Sequence, residues 1–287
     1  MEPDGARDPE AWLARLARSL PRHAEILRRL TAGVRDDERV VHVVVSCSVG
    51  RGAADELSDL DCSLSLEPSA WPGGLELVEP LVRSAGTVVD LLHHRWPGAG
   101  STENRRTAVQ YADGVQLDLM VWPVTAWSGM HPPDTVVLYE SREVFTRPWE
   151  AVRGLATIAQ LREWTFLGWW MLLDADKYLR RGSPWEARQR LEEARAVVWQ
   201  LTAAAQGLQF AEYGITTLLD AEAIVLPDGM GGTVAGLDAA RLRAAVMRCA
   251  AVLGERWAPA AAAVGEAGAV QPPLAAWALM RLHAQGR

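Results

Sequence analysis

Cysteine is scarce in this chain: three residues in 287, Cys47, Cys62 and Cys249, an odd number at no metal-ligand spacing. That excludes a disulfide framework and a thiolate zinc site, and a reducing cytoplasm is the expected compartment. Nothing at the N-terminus has the charged, apolar and small-residue pattern of a secretory signal. Long apolar runs are also missing. A bilayer span needs roughly 20 uninterrupted apolar residues, and the strongest candidate, EWTFLGWWMLLDADKYL, is interrupted by charge. No membrane partner is expected. Basic stripes are absent too: 29 Lys and Arg against 36 Asp and Glu leave a net charge of −7, the wrong sign for gripping a phosphate backbone, so no nucleic-acid partner is expected. An acidic surface favours a cationic partner. What the chain does have is a 49% apolar content, enough for a real core without covalent staples.

The pattern of those apolar residues changes along the chain. DPEAWLARLARSLPRHAEILRRLTAGV reads as two amphipathic helices parted at Pro21. VVHVVVS is rich in β-branched residues and nearly continuously apolar, as suits a strand covered on both faces. DLDCSLSL alternates, with Asp59, Asp61, Ser63 and Ser65 on one face and Leu60, Cys62, Leu64 and Leu66 on the other. A short helix is expected in GGLELVEPLVRSAG and a strand in TVVDLLHHRW. RRTAVQYADGVQLDLMVW reads as a hairpin turning at Asp113 and Gly114. The adjacent Pro132 and Pro133 mark a linker, so the expected domains are residues 1–130 and 131–287. Beyond them a long helix is expected from about Trp149 to Arg181. Ser183, Pro184 and Glu186 then carry the pattern of a capping box opening the next helix. Further helices cover TTLLDAEAI, LDAARLRAAVMRCAAVLGERW and PPLAAWALMRLHA, and APAAAAVGEAGAV reads as a surface connection. The fold class is α+β: an N-terminal mixed sheet flanked by helices, then a C-terminal helical bundle.

The chemistry concentrates in SCSVGRGAADELSDLDCSLSL. Two carboxylates at i and i+2 on a strand face the same way, so Asp59 and Asp61 can converge on one hard divalent cation such as Mg2+. If the hairpin arm carrying Asp118 lies beside that strand, a third carboxylate reaches the same face. Three acids around one or two metal ions suit phosphoryl or nucleotidyl transfer. The preceding turn, with Ser48, Gly50, Arg51 and Gly52, lets backbone N–H groups approach an anion, and any helix opening at GAADEL would add its positive end. Ser48 and Arg51 are therefore candidates for binding a triphosphate.

CSVGRGAADELSDLD resembles the signature of the nucleotidyltransferase superfamily related to DNA polymerase beta: a glycine-serine pair, then an Arg-Gly, an Asp, a Ser and the metal-binding Asp-x-Asp. Within it the stretch is most similar to the antibiotic nucleotidyltransferases of aminoglycoside and lincosamide type. The resemblance covers roughly residues 38–122. It implies ATP or another NTP as co-substrate, Mg2+ as cofactor, transfer of a nucleoside monophosphate, AMP first, to a hydroxyl of a small, cationic substrate, and a helical domain completing the cleft. A homodimer is an assembly seen among such enzymes. By the same resemblance Asp118 is either the third metal ligand or the general base, Ser58 belongs to the nucleotide-binding turn, and Lys177 in KYLRRGSPWEAR reaches the triphosphate. A protein or metabolite acceptor, or a non-catalytic nucleotide-binding relative, are the alternatives.

One position departs from the pattern. Cys47 stands where the family has glycine, which matters if that position needs positive φ or close approach. Asp55 is read as bonding local backbone, His93 and His94 as ordinary strand or surface histidines, and Asp90 as structural. Asp174 and Asp176 are read as helix partners of Lys177 and Arg180, with contact between one of them and a cationic substrate as the alternative, and Glu163 carries the same two readings.

Overall fold

VVHVVV forms β1 (Val40–Val45), a strand buried along its whole length. In this computed structural model, which describes residues 8–94, 104–221, 223 and 225–284, β1 lies inside a six-stranded mixed sheet. The other strands are β2 (Leu60–Leu66), β3 (Val88–His94), β4 (Arg105–Tyr111), β5 (Gln116–Pro123) and β6 (Val136–Glu140). Their order is β3-β4-β5-β2-β1-β6. β2 and β5 run parallel and every other pairing is antiparallel.

Helices α1 (Pro9–Ser19), α2 (Pro21–Val34) and α4 (Val78–Ala85) contribute to the core on one face of that sheet. Leu13, Leu27, Leu30 and Val82 pack there with Leu60, Cys62, Leu64, Leu117, Leu119 and Val121. The alternation read in β2 and β5 is what makes this possible: the core-facing leucines and valines are buried, and Asp61, Ser63, Asp118, Met120 and Trp122 are left only half-buried on the opposite side. The hairpin between β4 and β5 turns at Asp113 and Gly114, where Gly114 has φ of 96°, a conformation open to glycine. Arg95 and Trp96, at the end of TVVDLLHHRW, lie outside the described residues.

The chain forms two compact units, Met1–Trp149 and Glu150–Arg287. The division therefore falls beyond the expected one at residues 130/131. Pro132 and Pro133 do not open a linker; they lead the chain back so that β6 pairs with β1, Val136 opposite Val45 and Tyr139 opposite Val43.

Among its described residues the second unit is built from helices: α5 (Ile158–Arg180), α6 (Pro184–Ala205), α7 (Ile215–Asp220), α8 (Ala239–Ala263) and α9 (Leu274–Ala284). The long helix α5 starts at Ile158 rather than near Trp149. Thr157 caps it, accepting from the Gln160 N–H while the Gln160 side chain accepts from the Thr157 N–H. Ser183 does occupy the cap position of α6, but its hydroxyl donates to the Glu186 carboxylate at 2.5 Å instead of capping the backbone. The alanine-rich APAAAA continues α8 through Pro259 and buries Ala260 and Ala261, so only the following residues make the surface connection. Glu222 and Ile224 of TTLLDAEAI lie outside the described residues.

Candidate active site

The site begins where β1 ends. The Ser46 N–H donates to the Asp61 carbonyl at 2.9 Å, which seats the turn against the start of β2. Cys47 to Gly50 then form one helical turn, α3 (Cys47–Gly50), and no helix opens at GAADEL, which is irregular up to β2. Ser48 is half-buried in α3. Cys47 has φ of 57°: the position does require the left-handed region, and a cysteine there costs about 1–2 kcal/mol of backbone strain.

Gly50 serves a different purpose. A Cβ at this position would lie 2.0 Å from the Asp134 carbonyl oxygen and 3.1 Å from the Val45 oxygen, so the segment after Pro133 can close on the turn only over a glycine. Two side-chain contacts hold that closure. Arg51 Nη1 pairs with Asp134 Oδ2 at 3.0 Å, and the Ser46 and Thr135 hydroxyls meet at 3.1 Å. Arg51, expected to face phosphates, thus spends charge on Asp134.

Ser58, expected in the nucleotide-binding set, is occupied locally. Its Oγ accepts from the Asp55 N–H at 3.0 Å and donates to Asp55 Oδ1 at 3.2 Å, while Asp55 Oδ1 also accepts from the Leu57 N–H. Short polar side chains bond to nearby backbone in this way whenever the chain turns. The imidazole of His23, buried on α2, meets the Ser58 carbonyl at 2.8 Å. This contact anchors the loop one residue before Asp59, and sequence reading missed it because nothing local links His23 to residue 58.

Asp59 is exposed at the end of that loop, and Asp61 stands directly opposite Asp118 in the parallel β2–β5 register. The expected third carboxylate is therefore on the same sheet face. Burial, then the neighbouring charges of Asp59 and Asp118, push Asp61 up to about 6, while a hydrogen bond with the Cys47 thiol works the other way. Cys47 is exposed as a residue, but desolvation at its sulfur and the adjacent Asp61 push the thiol up to about 12. It is a neutral thiol at physiological pH.

Asp118 carries a partner that the sequence reading did not include. Arg106 on β4 donates from Nε to Oδ1 at 2.7 Å and pairs Nη2 with Oδ2 at 2.5 Å. The pair is bidentate, and the hydrogen bond with Asp118 raises the guanidinium further above its usual range. The signal was present in RRTAVQY: once β4 is read as the hairpin arm beside β5, Arg106, Ala108 and Gln110 share one face. Among the described residues no three His, Cys, Asp or Glu side chains form a ready metal-binding group. The donors fit Mg2+ in kind, since Asp59 and Asp61 are hard oxygen ligands with unneutralised charge.

Beside these acids lies a cavity of about 310 Å³ lined by Asp59, Asp90, Arg106, Gln110, Gln116 and Asp118 among others. Asp90 thus belongs to the wall of the site as well as bonding the Leu91 N–H. His93 is satisfied by the Thr107 hydroxyl at 2.9 Å, as a strand histidine should be.

In the helical unit Lys177 pairs with Asp174 at 2.5 Å, and Asp176 holds both Arg180 at 2.5 Å and Arg243 at 3.0 Å. The helix-partner reading of the two aspartates is what the structure shows. Lys177 and its neighbours Trp170, Arg181, Trp277 and Arg281 surround a pocket of about 490 Å³ within that unit. Glu163 is exposed.

Fold and site together define a class: an α+β protein that presents three aspartates near one end of a mixed sheet, beside a small-residue turn. No protein-family model and no curated protein matches the chain. Among solved structures it is similar to an aminoglycoside 6-adenyltransferase from Bacillus subtilis, at 12% identity and a TM-score of 0.39, over 92% of this chain and 97% of that one. At such distance, function must be read from the site residues themselves.

Proposed function

We propose that the chain is a magnesium-dependent nucleotidyltransferase that moves a nucleoside monophosphate, AMP first, from an NTP to a hydroxyl of a small cationic molecule of the aminoglycoside kind. The carrying observation is the register: Asp61 opposite Asp118, with Asp59 two residues earlier, at the foot of the Ser46–Gly52 turn. Asp59 and Asp61 would hold Mg2+, which would supply charge neutralisation at the phosphates. Ser48 and the backbone N–H groups of its turn orient the β and γ phosphates, with Arg51 as a supporting cation. The acceptor oxygen attacks the α phosphorus, the bond from that phosphorus to the bridging oxygen breaks, and pyrophosphate leaves. Asp118 either completes the metal shell or takes the hydroxyl proton. Asp90 in the cavity wall gives an ammonium-bearing acceptor its counter-charge.

The test is mass spectrometry of aminoglycosides incubated with the full chain, ATP or GTP, and Mg2+. The expected result is an added nucleoside monophosphate, absent with Asp59→Asn. Unmodified drug across the panel, with NTP left intact, would sink the substrate assignment.

A non-catalytic nucleotide binder is the second reading, and the strained Cys47 favours it. Calorimetry that shows ATP and Mg2+ bound, combined with an assay that finds no pyrophosphate released in the presence of the acceptor panel, would favour the binder; pyrophosphate release favours the enzyme. Relieving the left-handed cysteine with Cys47→Gly is expected to tighten ATP binding several-fold with stability changed by less than about 1 kcal/mol, because the strain removed is offset by glycine's backbone entropy. Unchanged affinity would show that the turn is already shaped for phosphate.

A further inference from the structure

We infer that Arg106 withholds Asp118 from the metal and reserves it for the proton of the acceptor hydroxyl; this rests on the nucleotidyltransferase reading of the site and settles the role of its third carboxylate. Both Asp118 oxygens are engaged by one guanidinium, at 2.7 and 2.5 Å. A Mg2+ ligand must sit at about 2.0–2.1 Å with near-octahedral geometry, and taking Asp118 into that shell would press a divalent ion against a guanidinium that never loses its charge.

The sheet geometry makes this arrangement a built feature. Ala108 is the residue directly across from Asp118, and Arg106 faces Met120. With only a methyl group opposite, the long side chains diagonal to Asp118 on this face of β4 are Arg106 and Gln110; Gln110 is engaged elsewhere, accepting from Gln116 at 2.9 Å and donating to the Tyr111 carbonyl at 3.0 Å, which leaves Arg106 as the partner of Asp118. Asp59 and Asp61 differ from Asp118 in this respect. Among the described residues neither forms an ion pair, and Asp61's contact is the neutral Cys47 thiol. The uncompensated charge available to a metal is therefore on Asp59 and Asp61.

A carboxylate oxygen has two acceptor positions, so a carboxylate held by arginine can still take a third hydrogen bond. The cavity that Asp118 and Arg106 help to line is where an acceptor would approach. On transfer the acceptor oxygen bonds to the α phosphorus, its proton passes to Asp118, and the electron pair of the broken phosphorus–oxygen bond leaves with pyrophosphate. Arg106, in contact with Asp118 throughout, is a positioning residue.

Mn2+ titration of the full chain by electron paramagnetic resonance, with water-proton relaxation to count metal-bound waters, tests this without any substrate. Arg106→Gln frees a third carboxylate, and Mn2+ is expected to bind about tenfold tighter with at least one fewer bound water, since ligand charge and number set affinity. The charge-matched double variant, Arg106→Gln with Asp118→Asn, is expected to stay within about twofold of wild type, because it removes neither a ligand nor net charge. Arg106→Lys, which keeps the charge but loses the fork, is expected to fall between wild type and Arg106→Gln, and it serves if the glutamine variant fails to fold. A double variant weaker than wild type by tenfold would make Asp118 a ligand and overturn the inference while leaving the enzyme reading intact. Arg106→Gln with wild-type affinity would also overturn it. If neither wild type nor any variant binds Mn2+ in an Asp61-dependent way, the metal-site reading itself falls, and this inference with it.

Discussion

Asp61→Asn is expected to lower nucleotidyl transfer by at least about a thousandfold, roughly 4 kcal/mol of transition-state stabilisation, while raising the melting temperature of the metal-free protein at pH 8. Both effects have one cause. Asp61 is partly desolvated and sits beside Asp59 and Asp118, so its carboxyl is pushed up from 3.8 to about 6. The unfolded chain gives up this proton before the folded one does. Between pH 4 and 6 the folded state therefore binds more protons, and stability falls as pH rises. Above pH 6 the penalty is complete; below pH 4 it is absent. The asparagine cannot ionise, so the variant is expected to exceed wild type by about 1 kcal/mol at pH 8, a discounted figure because the carboxyl is partly solvated. The advantage vanishes at pH 4. Differential scanning calorimetry at both pH values, with chelator and with Mg2+, checks the sign. A variant less stable than wild type at pH 8 without metal would mean that the three carboxylates do not repel one another in the folded protein. Saturating Mg2+ should stabilise wild type and leave the variant nearly unmoved, since only binding to the native state shifts the transition.

Gly50→Ala is expected to be the most damaging single methyl group in the sheet-bearing unit. The added Cβ would stand 2.0 Å from a backbone carbonyl oxygen, that of Asp134, with the Asp134 carbonyl carbon at 2.9 Å. Neither neighbour is a flexible side-chain tip that could swing aside. The Pro133–Thr135 segment must lift, and the Arg51–Asp134 and Ser46–Thr135 contacts go with it. The lifted segment leads directly into β6, whose pairing begins with Val136 opposite Val45. A loss of about 3 kcal/mol is expected, in the range of strain at a constrained backbone position, lowering the melting temperature by roughly 6–12 °C. Urea denaturation followed by tryptophan fluorescence reads this directly. A loss below about 1 kcal/mol would show that the segment yields without cost. Because the turn carries Ser48 and Arg51, NTP affinity is expected to fall as well, even at temperatures where the variant is folded.

Much of this protein was legible along the chain because its cues are local and periodic. The alternation in LDCSLSL and QLDLMVW assigns which side chains meet the core, and Asp61 and Asp118 necessarily fall on the other side. The Asp113–Gly114 dipeptide marks its hairpin for the same reason, a conformational demand that a short stretch can meet by itself. The proline pair misled where the meaning of a local cue depended on a distant partner: prolines end one element, but only an open edge on β1 decides that the next residues join the sheet. Ser58 shows the reverse case. The resemblance implies a nucleotide contact for it, and what the structure adds is a local bond, its hydroxyl donating to Asp55 three residues away.

By itself, then, the sequence determined the α+β class, the strands that carry Asp61 and Asp118 and the face on which those two lie, because pleat and helix periodicity depend on neighbours a few residues away. Only the tertiary structure decided that β2 and β5 lie side by side in a register that sets Asp61 opposite Asp118. It also decided that Arg106 takes both oxygens of Asp118, that Asp134 closes on Gly50, and that His23 anchors the loop before Asp59. These contacts join residues brought together by strand order and helix packing, and charge pairing and close approach act through space rather than along the chain.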